Sequence, residues 1–217
     1  MKEHKSISIA DQVFMQLEKD ILTGKYPRGE VLSEQRLSGE LGVSRTPVRE
    51  AVRRLQQEQL LRDSGKGTVV VGISPEDTMD MYDIRLSVES MAAGRAAEII
   101  SDEKLSQMKE ILELQRFYVE KQDGDYSERI RNLDTDFHEL LYECSGSRVF
   151  DSILSELHRK ISKYRRASVS KHMRAVNSLT EHEAIYRALS KHDAAAAEKA
   201  ARQHVENARA RLAEMEK

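Results

Sequence analysis

Proline occurs three times in this 217-residue chain, at Pro27, Pro47 and Pro75, and nowhere after position 75. Proline breaks a helix anywhere beyond its first turn, so everything after Pro75 is free to be helical. No strand-like run interrupts that stretch. Its apolar residues recur at helical spacing over roughly residues 75–100, 102–121, 125–144, 148–168, 175–191 and 193–216. Short links between such segments predict an antiparallel helical bundle. The bundle has a clear start: Ser74 can cap, Pro75 fits the first helical position, and Glu76 and Asp77 follow in the first turn. We place the domain boundary near Ile73, giving domains 1–73 and 74–217.

The first domain has a different rhythm. Val13, Phe14, Leu17, Ile21 and Leu22 share one helical face, and Gly24, Pro27 and Gly29 end the run. Ser33 can cap a second helix reaching Leu41, where Gly42 breaks it. Ser44 can cap a third from Arg45 to about Glu58, with Pro47 tolerated in its first turn. Ser64-Gly65-Lys66-Gly67 and the β-branched run Thr68 to Val71 then predict a tight hairpin. The expected fold class is therefore mainly α: an N-terminal winged helix-turn-helix followed by an all-α antiparallel bundle.

Composition narrows the function classes. With 39% hydrophobic residues and no apolar run longer than the four alanines Ala194 to Ala197, no segment approaches the roughly 20 residues of a membrane span. Nor does the chain start with the apolar block of a secretory signal. A soluble, cytoplasmic protein with no membrane partner is expected. Cys144 is the sole cysteine, which excludes an intrachain disulfide and reads as a small buried hydrophobe. The net charge of −2 divides unevenly, with 12 Lys/Arg against 10 Asp/Glu in residues 1–72 and 23 against 27 in the rest. That asymmetry is too small to establish nucleic-acid binding, so the motifs must.

On the third helix Val48, Ala51, Val52 and Leu55 form an inward stripe, leaving Arg45, Arg49 and Arg53 along an outward face. Arginines so placed suit the major groove, where a guanidinium bonds bidentately to guanine or clamps phosphate. An arginine-rich surface helix often serves only solubility, but the compact helix-turn before this one favours DNA. Ser44 and Thr46 lie where a helix start holds phosphate, and Lys66 sits between glycines that let backbone approach DNA. Gly24-Lys-Tyr-Pro-Arg-Gly29, Leu32-Ser-Glu-Gln-Arg-Leu37 and Leu41-Gly-Val-Ser-Arg-Thr-Pro-Val-Arg-Glu-Ala51 resemble the GntR family of regulators. The resemblance implies DNA contacts from Arg45, Arg49 and the wing around Lys66 and Gly67, and homodimers on pseudo-palindromic operators. Gln35 and Arg36 depart from a family pattern of Arg followed by an acid, and either side chain can still donate to phosphate or base.

In the second domain Asp134, His138, His182 and His204 have metal-ligand chemistry. Asp134 and His138 are four apart on a helix whose stripe contains Leu133, Phe137 and Leu141. His182 shares a face with Ile185 and Leu189, and His204 with Ala197, Ala201 and Ala208. Each alone is more often an ordinary core residue; together they form an N/O set suited to one divalent ion, with zinc ahead of nickel or manganese. His4, His158, His172 and His192 lack that combination and read as surface or structural residues. The segment also resembles the FadR-type, or FCD, effector domain, which implies that the Asp and three His hold an ion at the floor of a ligand cavity. Ser147 stands where that family often has Asn. Arg85 lies on the inward face with Met81, Val88 and Ala92, where it needs an anion, either Glu89 at i+4 or a ligand carboxylate. By resemblance its position lines the cavity. Tyr142 and Arg165 are further ligand-binding candidates, with Tyr82 and Glu181 weaker ones.

The leading reading is a DNA-binding transcriptional regulator controlled by a small carboxylate-containing effector bound near a divalent metal, and not an enzyme. A metal-dependent hydrolase is the main alternative, yet His182-Glu-Ala-Ile-Tyr186 has Tyr where an HExxH motif needs its second His. A regulator with a purely structural metal and a dimerisation domain is the third.

Overall fold

The computed structural model describes residues 7–65, 67–121, 126–166 and 172–215, with the side chains of 162–166, 172–174 and 214–215 outside the description. The chain divides into two compact units, with the boundary at Ser74 and Pro75. No helix among the described residues is long and apolar enough to cross a membrane.

The first unit contains α1 (Ile9–Leu22), β1 (Val31–Leu32), α2 (Glu34–Leu41), α3 (Arg45–Gln57), β2 (Leu61–Asp63) and β3 (Thr68–Val70). Ser8 caps α1 by accepting from Asp11 N at 3.1 Å, and Ser33 caps α2 by accepting from Arg36 N at 3.2 Å. Gly42, at φ 65°, supplies the left-handed turn that ends α2. Ser44 occupies the N-cap of α3 but its side chain makes no capping bond, contrary to expectation. Packing of α1 on α3 buries Val13, Phe14 and Leu17 on one helix and Val48, Ala51 and Leu55 on the other.

The expected hairpin proves to be the larger part of a three-stranded antiparallel sheet, ordered β1-β3-β2. Val31 pairs with Val69 and Leu32 with Thr68. A two-residue strand is too short to show a period in sequence, so β1 could be found only through its partner. Its approach explains Gly67: a Cβ there would meet Val31 Cγ1 at 3.0 Å and Leu32 O at 3.2 Å.

The second unit is a helical bundle of α4 (Pro75–Ile99), α5 (Asp102–Glu120), α6 (Ser127–Cys144), α7 (Arg148–Arg166), α8 (His172–Leu189) and α9 (Ala194–Met215). Helix α4 packs along α9, α9 also against α8, and α5 against α6 and α8. Small residues bring the first pair close: Ala93, Ala96 and Ala97 are buried on α4, and Ala197, Ala201 and Ala208 on α9. Gly94 belongs to this seam, since a Cβ there would meet the Glu198 side chain at 2.5 Å. The α8–α9 turn is tied to α4 by His192, whose Nδ1–H donates to Ala97 O at 2.8 Å. Cys144 is buried, and burial pushes its thiol up to about 11.

Candidate functional site

Arg45 and Arg49 project from α3 with side chains 61% and 65% exposed. Both turn toward Glu34 at the start of α2. Arg49 donates from Nε to Oε1 and from Nη2 to Oε2, each at 3.0 Å, while Arg45 Nη2 lies 3.5 Å from Oε2. Hydrogen bonding from Arg49 holds the Glu34 carboxyl below its usual range. One carboxylate thus keeps two guanidinium groups side by side on the outer face. Exposed pairs of this kind are worth at most about 1 kcal/mol, so a phosphate or base edge can displace Glu34.

Arg53, Thr46, Ser44 and Gln35 are exposed around the same helix-turn-helix. Arg36 is more committed, donating at 2.6 Å to both Glu30 and Glu40. The wing turn is closed by Ser64 N–H and Oγ–H on Gly67 O, each at 2.9 Å, whereas Lys66 lies outside the described residues.

In the bundle, His138 of α6, His182 of α8 and His204 of α9 are buried with ligand atoms within 4.8 Å of one another. Each ring is held from behind through Nδ1. His204 Nδ1 donates to Glu181 Oε2 at 2.8 Å, His182 Nδ1 to Gln115 Oε1 at 3.3 Å, and His138 Nδ1 lies 3.1 Å from Glu89 Oε1, off the hydrogen-bonding axis. This leaves Nε2 on each ring as the metal-facing candidate, with Ser178 Oγ 3.4 Å from that of His182, the arrangement in which outer partners orient metal-binding imidazoles. Burial, reinforced by the neighbouring His204, pushes His182 well below the usual histidine range. Burial also lowers His204 against the opposing pull of Glu181. Neutral imidazole is the form a metal takes, and three buried rings with ligand atoms this close fit an ion.

Asp134, grouped with these histidines from sequence, stands at the margin with its side chain 30% exposed. Its Oδ1 accepts from Ser178 Oγ at 3.2 Å and lies 3.7 Å from His182 Nε2. Its Oδ2 faces His158 Nε2, also at 3.7 Å. Of the surface or structural roles expected for His158, burial excludes the surface one: its ring lies inside, 4.4 Å from that of His138. Neither of its ring nitrogens has a hydrogen-bond partner. The missed signal was the spacing of Leu154, His158 and Ile161, which form one buried stripe on α7.

Beside the cluster lies a buried ion pair. Arg85 Nε donates to Glu89 Oε2 at 2.8 Å, with the two side chains 2% and 0% exposed. Burial opposes both charges, and mutual attraction overrides it: Glu89 is held well below the usual carboxylate range and Arg85 is raised. Tyr142 O–H donates to the same Glu89 oxygen at 3.0 Å. Tyr142 therefore braces Glu89, and its hydroxyl also lies 3.3 Å from His138 Nδ1. Arg85 Nη2 remains buried without a hydrogen-bond partner. The Arg165 side chain lies outside the description, and Glu181, fixed by His204, Asn207 and Arg211, is kept down at about 2 by these bonds despite its burial.

Comparison with known proteins follows the division of the chain. Residues 9–70 match the gntR family of bacterial regulatory proteins, and residues 80–207 match the FCD domain. The chain is 32% identical over 197 residues to an uncharacterized HTH-type transcriptional regulator of Bacillus subtilis, YdhC, covering 89% of this chain and 84% of that protein. It is 30% identical over 200 residues to the HTH-type transcriptional repressor RspR of Escherichia coli, covering 91% and 86%. Among solved structures, E. coli McbR/YncC is similar with a TM-score of 0.76 over 98% of this chain and all of that one. Its 22% identity makes this a likeness of fold.

Proposed function

The chain belongs to the GntR family of bacterial regulatory proteins, in the form that carries an FCD domain, and from that premise we propose that a small carboxylate-containing effector, held beside a divalent metal ion in the helical domain, controls its affinity for operator DNA. It is a DNA-binding transcriptional regulator, and its relatives are named as regulators, not enzymes. The observation that carries the effector reading is the pairing of two unmet needs in one buried region. Three buried imidazoles bring ligand atoms within 4.8 Å of one another, and Arg85 presents a guanidinium nitrogen without an acceptor.

His138, His182 and His204, with Asp134 at the margin, would hold the ion. Zinc is the first choice, with nickel and manganese suited to the same N/O set. A bound ion supplies a positive charge that attracts a carboxylate. Glu89 and Tyr142 orient His138, and Arg85 Nη2 offers a second anion contact without giving up Glu89. Binding in this way can alter operator affinity only if the effector prefers one arrangement of the dimer over another. Thermal melts against a panel of mono-, di- and tricarboxylates, with and without chelator, test the site. A carboxylate that raises the melting temperature only when metal is present, and changes operator affinity, supports the reading. Metal-bound protein that no carboxylate stabilises overturns effector control and favours a purely structural metal.

On DNA, Arg45 and Arg49 are the reading residues, with Ser44 and Thr46 on phosphate and Gln35 beside them. Single replacement by alanine is expected to weaken binding to an operator selected from a random DNA pool by about 1–3 kcal/mol, with folding unchanged. Wild-type affinity in both variants would remove them from that role. One recognition helix reads few base pairs, so a homodimer on a pseudo-palindromic site is expected. Sedimentation of the free protein and of its operator complex measures this directly, and a monomer in both refutes it.

A further inference from the structure

Resting on the metal reading above, we propose that His158 is a fourth imidazole donor to the same ion, approaching beside the second carboxylate oxygen of Asp134. Its surroundings otherwise make little sense. An imidazole always has a donor and an acceptor to satisfy, and leaving such a group unpaired in the interior costs about 1–3 kcal/mol. His158 is buried on α7 with both nitrogens unpartnered.

Asp134 Oδ2 lies 3.7 Å from its Nε2, too far for a hydrogen bond, whose N–H···O separation ends near 3.2 Å. Two ligands of one ion, each about 2.0–2.2 Å from it, stand about 3–4 Å apart. The same 3.7 Å separates Asp134 Oδ1 from His182 Nε2. Asp134 thus sits between two imidazoles at co-ligand spacing, one on each oxygen. The His158 ring lies 4.4 Å from that of His138, whose ring is 5.0 and 5.1 Å from those of His182 and His204, so His158 adjoins the three-histidine group through His138.

The consequence is chemical. Four imidazoles and one carboxylate oxygen of Asp134 make a nitrogen-rich set, and in a six-coordinate shell they leave one position for water or a single carboxylate oxygen. The effector would then bind the ion through one oxygen.

Cobalt(II) is the probe, because its visible d–d bands report the donor set directly. Full-length wild type, His158→Ala and His158→Phe are stripped of metal and titrated with Co(II), the Phe variant preserving ring volume if Ala folds poorly. The proposal expects binding at least about 10-fold weaker in the folded variants, together with shifted d–d bands. Wild-type affinity and unshifted bands in His158→Phe overturn it while leaving the three-histidine site intact. Weaker binding with unshifted bands also overturns it, since His158 would then act only through another ligand. A wild type that takes up no Co(II) sinks the underlying metal reading as well, so the two failures are distinct.

Discussion

Arg85→Ala is expected to cost the helical domain about 3–5 kcal/mol, the range for removing one partner of a buried ion pair. The physical cause is the residue left behind. Glu89 is fully buried, and its charge in that position is maintained chiefly by Arg85. Without the guanidinium it must either take a proton or remain unpaired in the interior. Tyr142 and His138, both directed at Glu89, would lose their anchor in either case. Urea denaturation of metal-free wild type, Arg85→Ala, Arg85→Lys and the double variant Arg85→Ala/Glu89→Gln separates the terms. The double variant should recover part of the loss, because it removes the orphaned charge. Arg85→Lys should fall between wild type and Ala, keeping charge but not the planar fork. A loss below about 1 kcal/mol in Arg85→Ala would show that the pair contributes no net stability. Because Arg85→Ala disturbs Glu89 and hence His138, a weaker effector response in this variant is meaningful only alongside its measured metal content.

Metal removal should have the second largest effect. An ion bound at 100 times its Kd stabilises the folded protein by about 2.7 kcal/mol, and this contribution should vanish on chelation. His138→Ala and His182→Ala are each expected to lose most bound metal, since each removes a buried donor whose ring is fixed from behind by Glu89 or Gln115. Their melting temperatures should then be insensitive to chelator. Elemental analysis after loading, paired with melts in the presence and absence of chelator, makes both measurements on the same samples. A wild type whose melt ignores chelator and which retains no divalent ion after loading refutes the metal reading, and with it the metal-dependent effector site.

The elements of this protein were largely written in short stretches of its sequence. The absence of proline after position 75, the cap at Ser33, and the glycine at position 42 specify where helices run and stop. These signals act within one or two turns of the chain, and the helices follow them closely. The outward row of Arg45, Arg49 and Arg53 was legible for the same reason, as was the inward placement of His138, His182 and His204. What a period cannot tell is which neighbour a side chain meets. That Glu34 bridges Arg45 and Arg49 depends on how α2 lies against α3. Strand β1 exists because β3 passes beside it, not because two residues favour extension. Arg85 had two possible partners in the sequence, and the bundle brings Tyr142 and His138 onto Glu89 to make the internal pair part of a larger network. His158 shows the limit most clearly. The stripe of Leu154, His158 and Ile161 reports burial, but only the packing of α7 near α6 puts its ring beside His138 and Asp134. Local chain chemistry sets helices and faces; the rotation and approach of those helices, fixed jointly by the whole core, decide which polar groups converge and which are left needing a ligand.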